Sequence, residues 1–279
     1  MEIALKNLNA GYLISKKEYH LIIENMTINF ENGKFHFLAG VSGSGKSTLL
    51  ETICFLIKKI SGEILFDNKS IENKNNLNIF RKSSGIMLQY TEKQFFNNTV
   101  EEEIIFNLKR NKTSSEEIKN QLCEIMEKLN IDRKLLYASP FEISGGEKRM
   151  VALASVLISS PKILFLDEPT VGLDFESKKV FMSSLKNLNK DSKMTIIQSS
   201  HILEDIIEYG DTVLILNKNK QFIKGNPKDL LFSEEILNNY GLKEPEIFKY
   251  IKELKKLGIK DIDNIKTNSE LIKKLFYNN

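Results

Sequence analysis

Gly40-Val41-Ser42-Gly43-Ser44-Gly45-Lys46-Ser47 fits the pattern G-x-x-x-x-G-K-[ST], and its surroundings are those the pattern requires. The apolar run Phe35-His36-Phe37-Leu38-Ala39 before it reads as a strand, and the recurrence of Leu49, Ile53, Leu56 and Ile60 after it predicts a helix from Lys46 onward. A glycine-rich turn between strand and helix can curl until its backbone N–H groups face an anion, and the helix N-terminus adds a partial positive charge. In that frame Lys46 reaches the β and γ phosphates of a nucleotide, and the Ser47 hydroxyl ligates the Mg²⁺ that bridges them. The competing reading, a flexible glycine turn, leaves a lysine and a serine in those two places without a reason.

Further along, Ile163-Leu164-Phe165-Leu166-Asp167-Glu168 is a continuous apolar run that ends in two adjacent carboxylates. Apolar residues at successive positions here and in Thr212-Val213-Leu214-Ile215-Leu216 indicate strands covered on both faces, as in a parallel sheet. Carboxylates at the carboxyl end of such a strand face the crevice where α/β folds bind ligands. Asp167 then suits the metal, directly or through a water, and Glu168 suits the orientation of an attacking water. The competing reading is that both merely begin the turn Asp167-Glu168-Pro169-Thr170. Between these landmarks, Thr99 with Glu102 and Ser114 with Glu117 match the capping-box spacing, and Ile118, Leu122, Ile125 and Leu129 form a helical stripe, which together predict a helical insertion. The stretch from Asp67 to Asn78, rich in Asn and Lys, reads as a solvated loop or edge, and the lysine-rich tail after about Asn226 reads as helical.

Composition narrows the function classes. With 279 residues, 41% hydrophobic and 28% charged, the chain can bury a core of one or two domains. Forty basic and 37 acidic residues leave a net charge of +3, and the lysines are spread thinly, so nucleic acid is not an expected partner. No run is long and apolar enough to span a bilayer, and the first ten residues lack the layout of a signal peptide, so any membrane role is expected to be peripheral. Cys54 and Cys123 read as small core residues, and His20, His36 and His201 share no metal-ligand spacing.

Ile143-Ser144-Gly145-Gly146-Glu147 resembles the LSGGQ signature of ABC (ATP-binding cassette) ATPases, and it lies one helix upstream of the acidic strand, as in that family. Taken by itself, Ser144 with Glu147 is also a capping box, but two consecutive glycines weaken a first helical turn unless something must approach the backbone closely. The resemblance covers roughly residues 1–258. It implies an α/β fold: a phosphate-loop (RecA-like) ABC ATPase core with an N-terminal antiparallel β subdomain and a helical insertion. The expected organisation is an ATPase domain at residues 1–225, with its core at 1–88 and 145–225 and the insertion at about 89–144, then a C-terminal helical extension at 226–279 that could serve dimerisation. It also implies roles for named residues. Gly40, Val41, Ser42, Gly43, Ser44, Gly45, Lys46, Ser47 and Thr48 hold the ATP phosphates; Ser47, Gln89 and Asp167 serve Mg²⁺; Glu168, His201 and Gln89 are catalytic. Ser144, Gly145, Gly146 and Glu147 close on the γ-phosphate held by a partner subunit, and Asp174, in Gly172-Leu173-Asp174, belongs to the loop that crosses the dimer interface. Tyr12 is similar to the aromatic that stacks on adenine, with Tyr19 competing for that role.

One branch of the family is closer. Leu88-Gln89-Tyr90-Thr91 and the run onward to Phe106 resemble the ATPases of energy-coupling factor importers, which have Q-x-P-E-x-Q and T-V-E runs there, and the tail from Gly241 to Ile259 is similar to that group's C-terminal helices. Departures are Ile143 for Leu, Glu147 for Gln, Thr91 for Pro and Phe175 for the Pro common after Asp174. A glutamate near a triphosphate is unfavourable unless its side chain turns away. The resemblance implies an ATP-hydrolysing subunit at the cytoplasmic face of the cell membrane, peripheral to it. Its expected partners are a second ABC ATPase subunit, paralogue or identical copy, a transmembrane scaffold subunit and a substrate-capturing membrane subunit, for uptake of a vitamin or metal ion. Glu101, Glu102 and Glu103 are candidates for meeting the scaffold's arginines, or else they favour a helix N-terminus electrostatically. The alternatives are a soluble ABC ATPase not coupled to transport, and a partner that binds ATP without hydrolysing it; Glu168 and His201 argue against the second.

Overall fold

Strands form where apolar residues follow one another without a polar gap, and helices form where they recur every third or fourth position; the computed structural model, which describes residues 1–15, 18–89, 95–259, 262 and 265–276, contains both. The chain begins with β1 (Ile3–Ser15), β2 (Glu18–Phe30), β3 (Phe35–Ala39), α1 (Lys46–Ile53), β4 (Ser61–Phe66), β5 (Lys69–Ser70), α2 (Lys74–Ser83) and β6 (Ser84–Met87). Next come α3 (Val100–Arg110), α4 (Ser115–Lys128), a 3-10 turn at Arg133–Tyr137, α5 (Gly145–Leu157), β7 (Ile163–Asp167), α6 (Phe175–Ser192) and β8 (Thr195–Ser199). It ends with α7 (Leu203–Tyr209), β9 (Thr212–Leu216), β10 (Phe222–Gly225), α8 (Pro227–Leu230), α9 (Glu234–Tyr240), α10 (Glu246–Lys256) and α11 (Asn268–Phe276). Two compact units result, the first of Met1–Lys6, Thr27–Gly33 and Gly62–Gln198, the second of Asn7–Met26, Lys34–Ser61 and Ser199–Asn279.

In the first unit the strand order is β8-β7-β6, and β6 runs parallel to β7 with Ser84 opposite Ile163 and Met87 opposite Leu166. Every residue of β7 and β8 is buried, as their unbroken apolar runs predict. A second sheet places β1 beside β4, and β4 pairs with β5 in an antiparallel hairpin. Helix α3 packs on α5 and on the 3-10 turn, and α4 and α6 also lie against α5. Thr99 and Ser114 cap α3 and α4, each hydroxyl accepting from the backbone N–H three residues on, at the positions their spacing predicts.

The Asn-rich stretch meets expectation only in part: it supplies the edge strand β5, but α2 starts at Lys74. Asn73 caps the helix by accepting from Asn75 N–H, and Phe80 anchors it in the core, with ring centroids 5.4 Å from Phe66 and 6.1 Å from Phe165. One buried aromatic outweighs the weak helix propensity of the asparagines.

In the second unit β9 lies between β3, which it joins in parallel with His36 opposite Thr212, and the antiparallel β10, with Phe222 opposite Leu216. Helix α1 is shorter than its periodicity predicts. It stops at Ile53; Phe55 adopts a left-handed backbone (φ 57°), Leu56 is half exposed, and Ile60 N–H bonds instead to Asn9 O at 2.8 Å. The C-terminal helices belong to this unit, where Ile247, Ile251, Ile262, Ile265 and Leu271 form a core of their own. Thr267 and Glu270 cap α11 reciprocally: the Glu270 carboxylate accepts from Thr267 N–H at 3.2 Å, and the Thr267 hydroxyl accepts from Glu270 N–H at 3.1 Å.

Candidate nucleotide site

The second unit carries the glycine-rich turn, between β3 and α1 as the sequence places it. Two of its glycines are required by the fold. A Cβ on Gly40 (φ 145°) would lie 2.3 Å from Leu216 O, and one on Gly45 (φ 99°) would lie 2.7 Å from Ile22 Cγ2. The turn closes through Ser44 N–H donating to Val41 O at 3.1 Å. Lys46 is 6% exposed, and inside the curl its ammonium donates to Gly40 O at 2.9 Å and to Val41 O at 3.4 Å. Two further features fit an anionic ligand. The Ser44 hydroxyl is buried with no hydrogen-bond partner in the protein, a condition costly to leave unmet. At the N-terminus of α1, Gly45 offers no capping side chain and the first turn has no acidic residue, so the helix itself supplies no anion to its N–H groups and dipole.

Tyr12 and His201 lie in the same unit. The Tyr12 hydroxyl is 3.2 Å from Thr48 Oγ1, which ties the ring to the first turn of α1 while about half of it stays exposed, a geometry open to stacking; Tyr19 is exposed to a similar degree. His201 is exposed, and the chain just before it is fixed by Ser200 N–H donating to Leu38 O of β3 at 3.0 Å. His36 is a buried structural histidine, its Nδ1 bonded to Thr212 Oγ1 at 2.5 Å.

The first unit carries the acidic strand end. Asp167 is the last residue of β7 and is 6% exposed. Glu168 follows in the left-handed region at φ 43°, a conformation that costs a non-glycine residue about 1 kcal/mol and that concentrates at functional positions. The loop after it turns tightly, with Val171 N–H donating to Glu168 O and Leu173 N–H to Thr170 O, both at 3.3 Å. Gln89 follows β6 and is partly buried; its carbonyl accepts from Arg149 Nη1 at 3.1 Å. Thr91 and the rest of residues 90–94 lie outside the described residues.

Ser144 caps α5, and the capping box is complete: the Ser144 hydroxyl accepts from Glu147 N–H at 3.3 Å, and Glu147 Oε2 accepts from Ser144 N–H at 2.8 Å. Glu147 is therefore folded back on its own helix, which meets the condition set for a glutamate in this place. The glycines after Ser144 differ. A Cβ on Gly146 would lie 2.5 Å from Ser177 Oγ, whereas one on Gly145 would meet nothing within 4 Å. Packing explains Gly146 and does not explain Gly145. Asp174 caps α6, accepting from Ser177 N–H at 2.9 Å and from the Ser177 hydroxyl at 2.7 Å. These bonds, the backbone one foremost, hold its carboxyl below the usual carboxylate range.

Three residues that sequence reading left aside or grouped wrongly act here. Ser177 serves Asp174 and stands against Gly146, and the D-x-x-S spacing could have signalled it. Arg149 is 7% exposed, the last of the charged residues Glu147-Lys148-Arg149 that precede the apolar run of α5. Glu103 is not an exposed docking carboxylate. It is 7% exposed and accepts from Phe96 N–H (3.2 Å), Asn97 N–H (3.0 Å) and Asn97 Nδ2 (2.9 Å), so it pins the loop before α3, while Glu101 and Glu102 remain partly exposed.

Hydroxyl, amide and carboxylate oxygens at Ser47, Gln89 and Asp167 are donors of the kind Mg²⁺ takes. Among the described residues no group of three or more His, Cys, Asp or Glu could hold an ion.

A family model described as "ABC transporter" matches residues 23–171. The chain is 36% identical over 277 residues to the energy-coupling factor transporter ATP-binding protein EcfA2 of Clostridium tetani, an alignment covering 99% of this chain and 96% of that protein. Among solved structures it is similar to cbiO1 of Clostridium perfringens, described as part of the ABC transporter complex cbiONQ (TM-score 0.76, 29% identity, 90% of this chain and 98% of that one). It is also similar to the dimeric post-hydrolysis state of the cassette MJ0796 bound to ADP and Pi (TM-score 0.70, 27% identity, 81% of this chain and 98% of that one).

Proposed function

The chain belongs to the ABC transporter family, and we propose that it is the ATP-hydrolysing subunit of an energy-coupling factor importer. The observation that carries this reading is one of coverage. The chain is 36% identical to the EcfA2 relative along 99% of its own length and 96% of that protein's, so the likeness to an energy-coupling factor subunit runs through the C-terminal helices as well as the cassette. That extent favours the importer over a cassette not coupled to transport.

In this reading the curled turn and the N–H groups of α1 grip the β and γ phosphates of ATP. Lys46 exchanges its bonds to Gly40 O and Val41 O for phosphate oxygens, and the Ser44 hydroxyl gains the partner it lacks. Tyr12 presents its face to adenine. Ser47, Gln89 and Asp167 would hold Mg²⁺, which when bound neutralises charge on the bridging phosphate oxygens. Glu168 accepts a hydrogen bond from the attacking water and aims it, and His201 donates to the γ-phosphate. Ser144 and Gly145 close over a nucleotide held by a second cassette, paralogue or identical copy, with Asp174 at the interface. Loss of the γ-phosphate then releases the pair.

The partners proposed are that second cassette, a transmembrane scaffold and a substrate-capturing membrane subunit, with this chain peripheral at the cytoplasmic face. No helix among the described residues is long and apolar enough to cross a membrane, so contact with the bilayer would come through those subunits. Glu168→Gln tests the assignment. Turnover should fall by roughly 10²-fold or more, while ATP still binds and light scattering shows a dimer that persists with Mg²⁺ and ATP; hydrolysis at the parental rate would remove Glu168 from its role.

A further inference from the structure

Arg149 sits in the second turn of α5, five residues after the Ser144 cap, and is almost wholly buried. A buried guanidinium must be met by acceptors, and two of those it uses belong to segments assigned above to chemistry. Nη1 donates to the carbonyl of Gln89 at 3.1 Å, and Nη2 donates to the carbonyl of Val171 at 3.0 Å. Val171 is also held by its N–H to Glu168 O, so the second bond fixes the tight turn on which the left-handed backbone of Glu168 rests. The rigid planar fork of arginine sets both carbonyls at once, whereas a lysine has a single ammonium to share between them.

We propose that Arg149 is a positioning residue for hydrolysis. It touches neither nucleotide nor water. It holds the main chain under Gln89 and behind Glu168 in one geometry, and because α5 carries it, that geometry follows the helix whose first turn is Ser144-Gly145-Gly146. Engagement of this helix by an opposing nucleotide is thereby felt at this subunit's own hydrolytic side chains. The inference rests on the ATPase reading given above.

Arg149→Met, Arg149→Gln and Arg149→Lys in the full chain decide it, with hydrogen exchange followed by mass spectrometry beside steady-state ATPase and the affinity for a fluorescent ATP analogue. In the Met and Gln variants we expect kcat at least tenfold lower and nucleotide affinity within twofold of parental. Exchange should be at least tenfold faster in segments covering residues 86–89 and 169–174, with β7 and β8 unchanged. Lys should restore part of both effects. The idea is overturned if kcat per folded molecule stays within twofold of parental, or if exchange rises evenly across the whole unit, which is the mark of a general folding defect. Parental protein without ATP hydrolysis would overturn the functional reading instead, and the two exchange segments would then judge the Arg149 link alone.

Discussion

Gly145→Ala separates the two reasons a protein has for a glycine. The backbone there is helical, and an added Cβ meets nothing within 4 Å, so the folded protein has room for alanine. Replacing glycine where the backbone suits alanine stabilises by about 0.4–1 kcal/mol, chiefly by restricting the unfolded chain, which for a unit of this size raises the melting temperature by about 1–4 °C. If a phosphate of an opposing nucleotide approaches the N–H groups of this turn, the same methyl group stands in its path. Losing one well-placed donor to a developing anion lowers turnover by roughly 10²–10³-fold. Calorimetry and ATPase assay of one preparation should therefore diverge, with melting at or above parental and kcat lower by about 10²-fold. A variant that melts higher and hydrolyses ATP at the parental rate would refute the idea that anything docks on Gly145. Gly146→Ala is the contrast, since its methyl would press on Ser177 Oγ at 2.5 Å and both readouts should fall.

Other outcomes follow from the same geometry. His201→Ala should lose most ATPase activity while nucleotide affinity, read by fluorescence titration, stays near parental. Glu103→Ala removes three hydrogen bonds from the loop before α3 and should cost about 2 kcal/mol locally, seen as roughly 30-fold faster amide exchange at Phe96 and Asn97. Burial raises the Glu270 carboxyl, but the Lys228 ammonium and the N–H groups of Lys266 and Thr267 outweigh it and hold the group below its ordinary 4.5. A depressed carboxyl gives its stabilisation above the unfolded value and loses it as pH falls through the folded one. Exchange in α11 should thus accelerate below about pH 4.5, and Glu270→Gln should flatten that dependence.

The glycine-rich turn was legible because its residue types fall in a fixed eight-residue pattern between an apolar strand and a helical period, although two of its glycines are required by Leu216 and Ile22, far away in sequence. β7 and β8 were legible because burial on both faces leaves an unbroken apolar run. Where tertiary contacts decide, the sequence spoke less clearly. The Asn-rich stretch looked like a loop because nothing near it shows that Phe80 finds Phe66 and Phe165. The helix after Lys46 looked longer because Leu56 and Ile60 keep its period although Phe55 breaks it. Three consecutive glutamates at 101–103 looked equivalent, and only the loop at Phe96 and Asn97 singles out Glu103. Arg149 escaped notice for the same reason, since both carbonyls it holds are distant in sequence.

The backbone at Glu168 has one more implication. A left-handed conformation welcomes glycine, asparagine and aspartate above other residues, and under the role proposed for Glu168 glycine and asparagine would leave the water without a base. Substitutions that relax the fold are thus among those that silence the chemistry. In a pair of duplicated cassettes, one copy can drift into a well-folded, idle companion by a single codon change, while the other is kept at its post by selection on turnover alone.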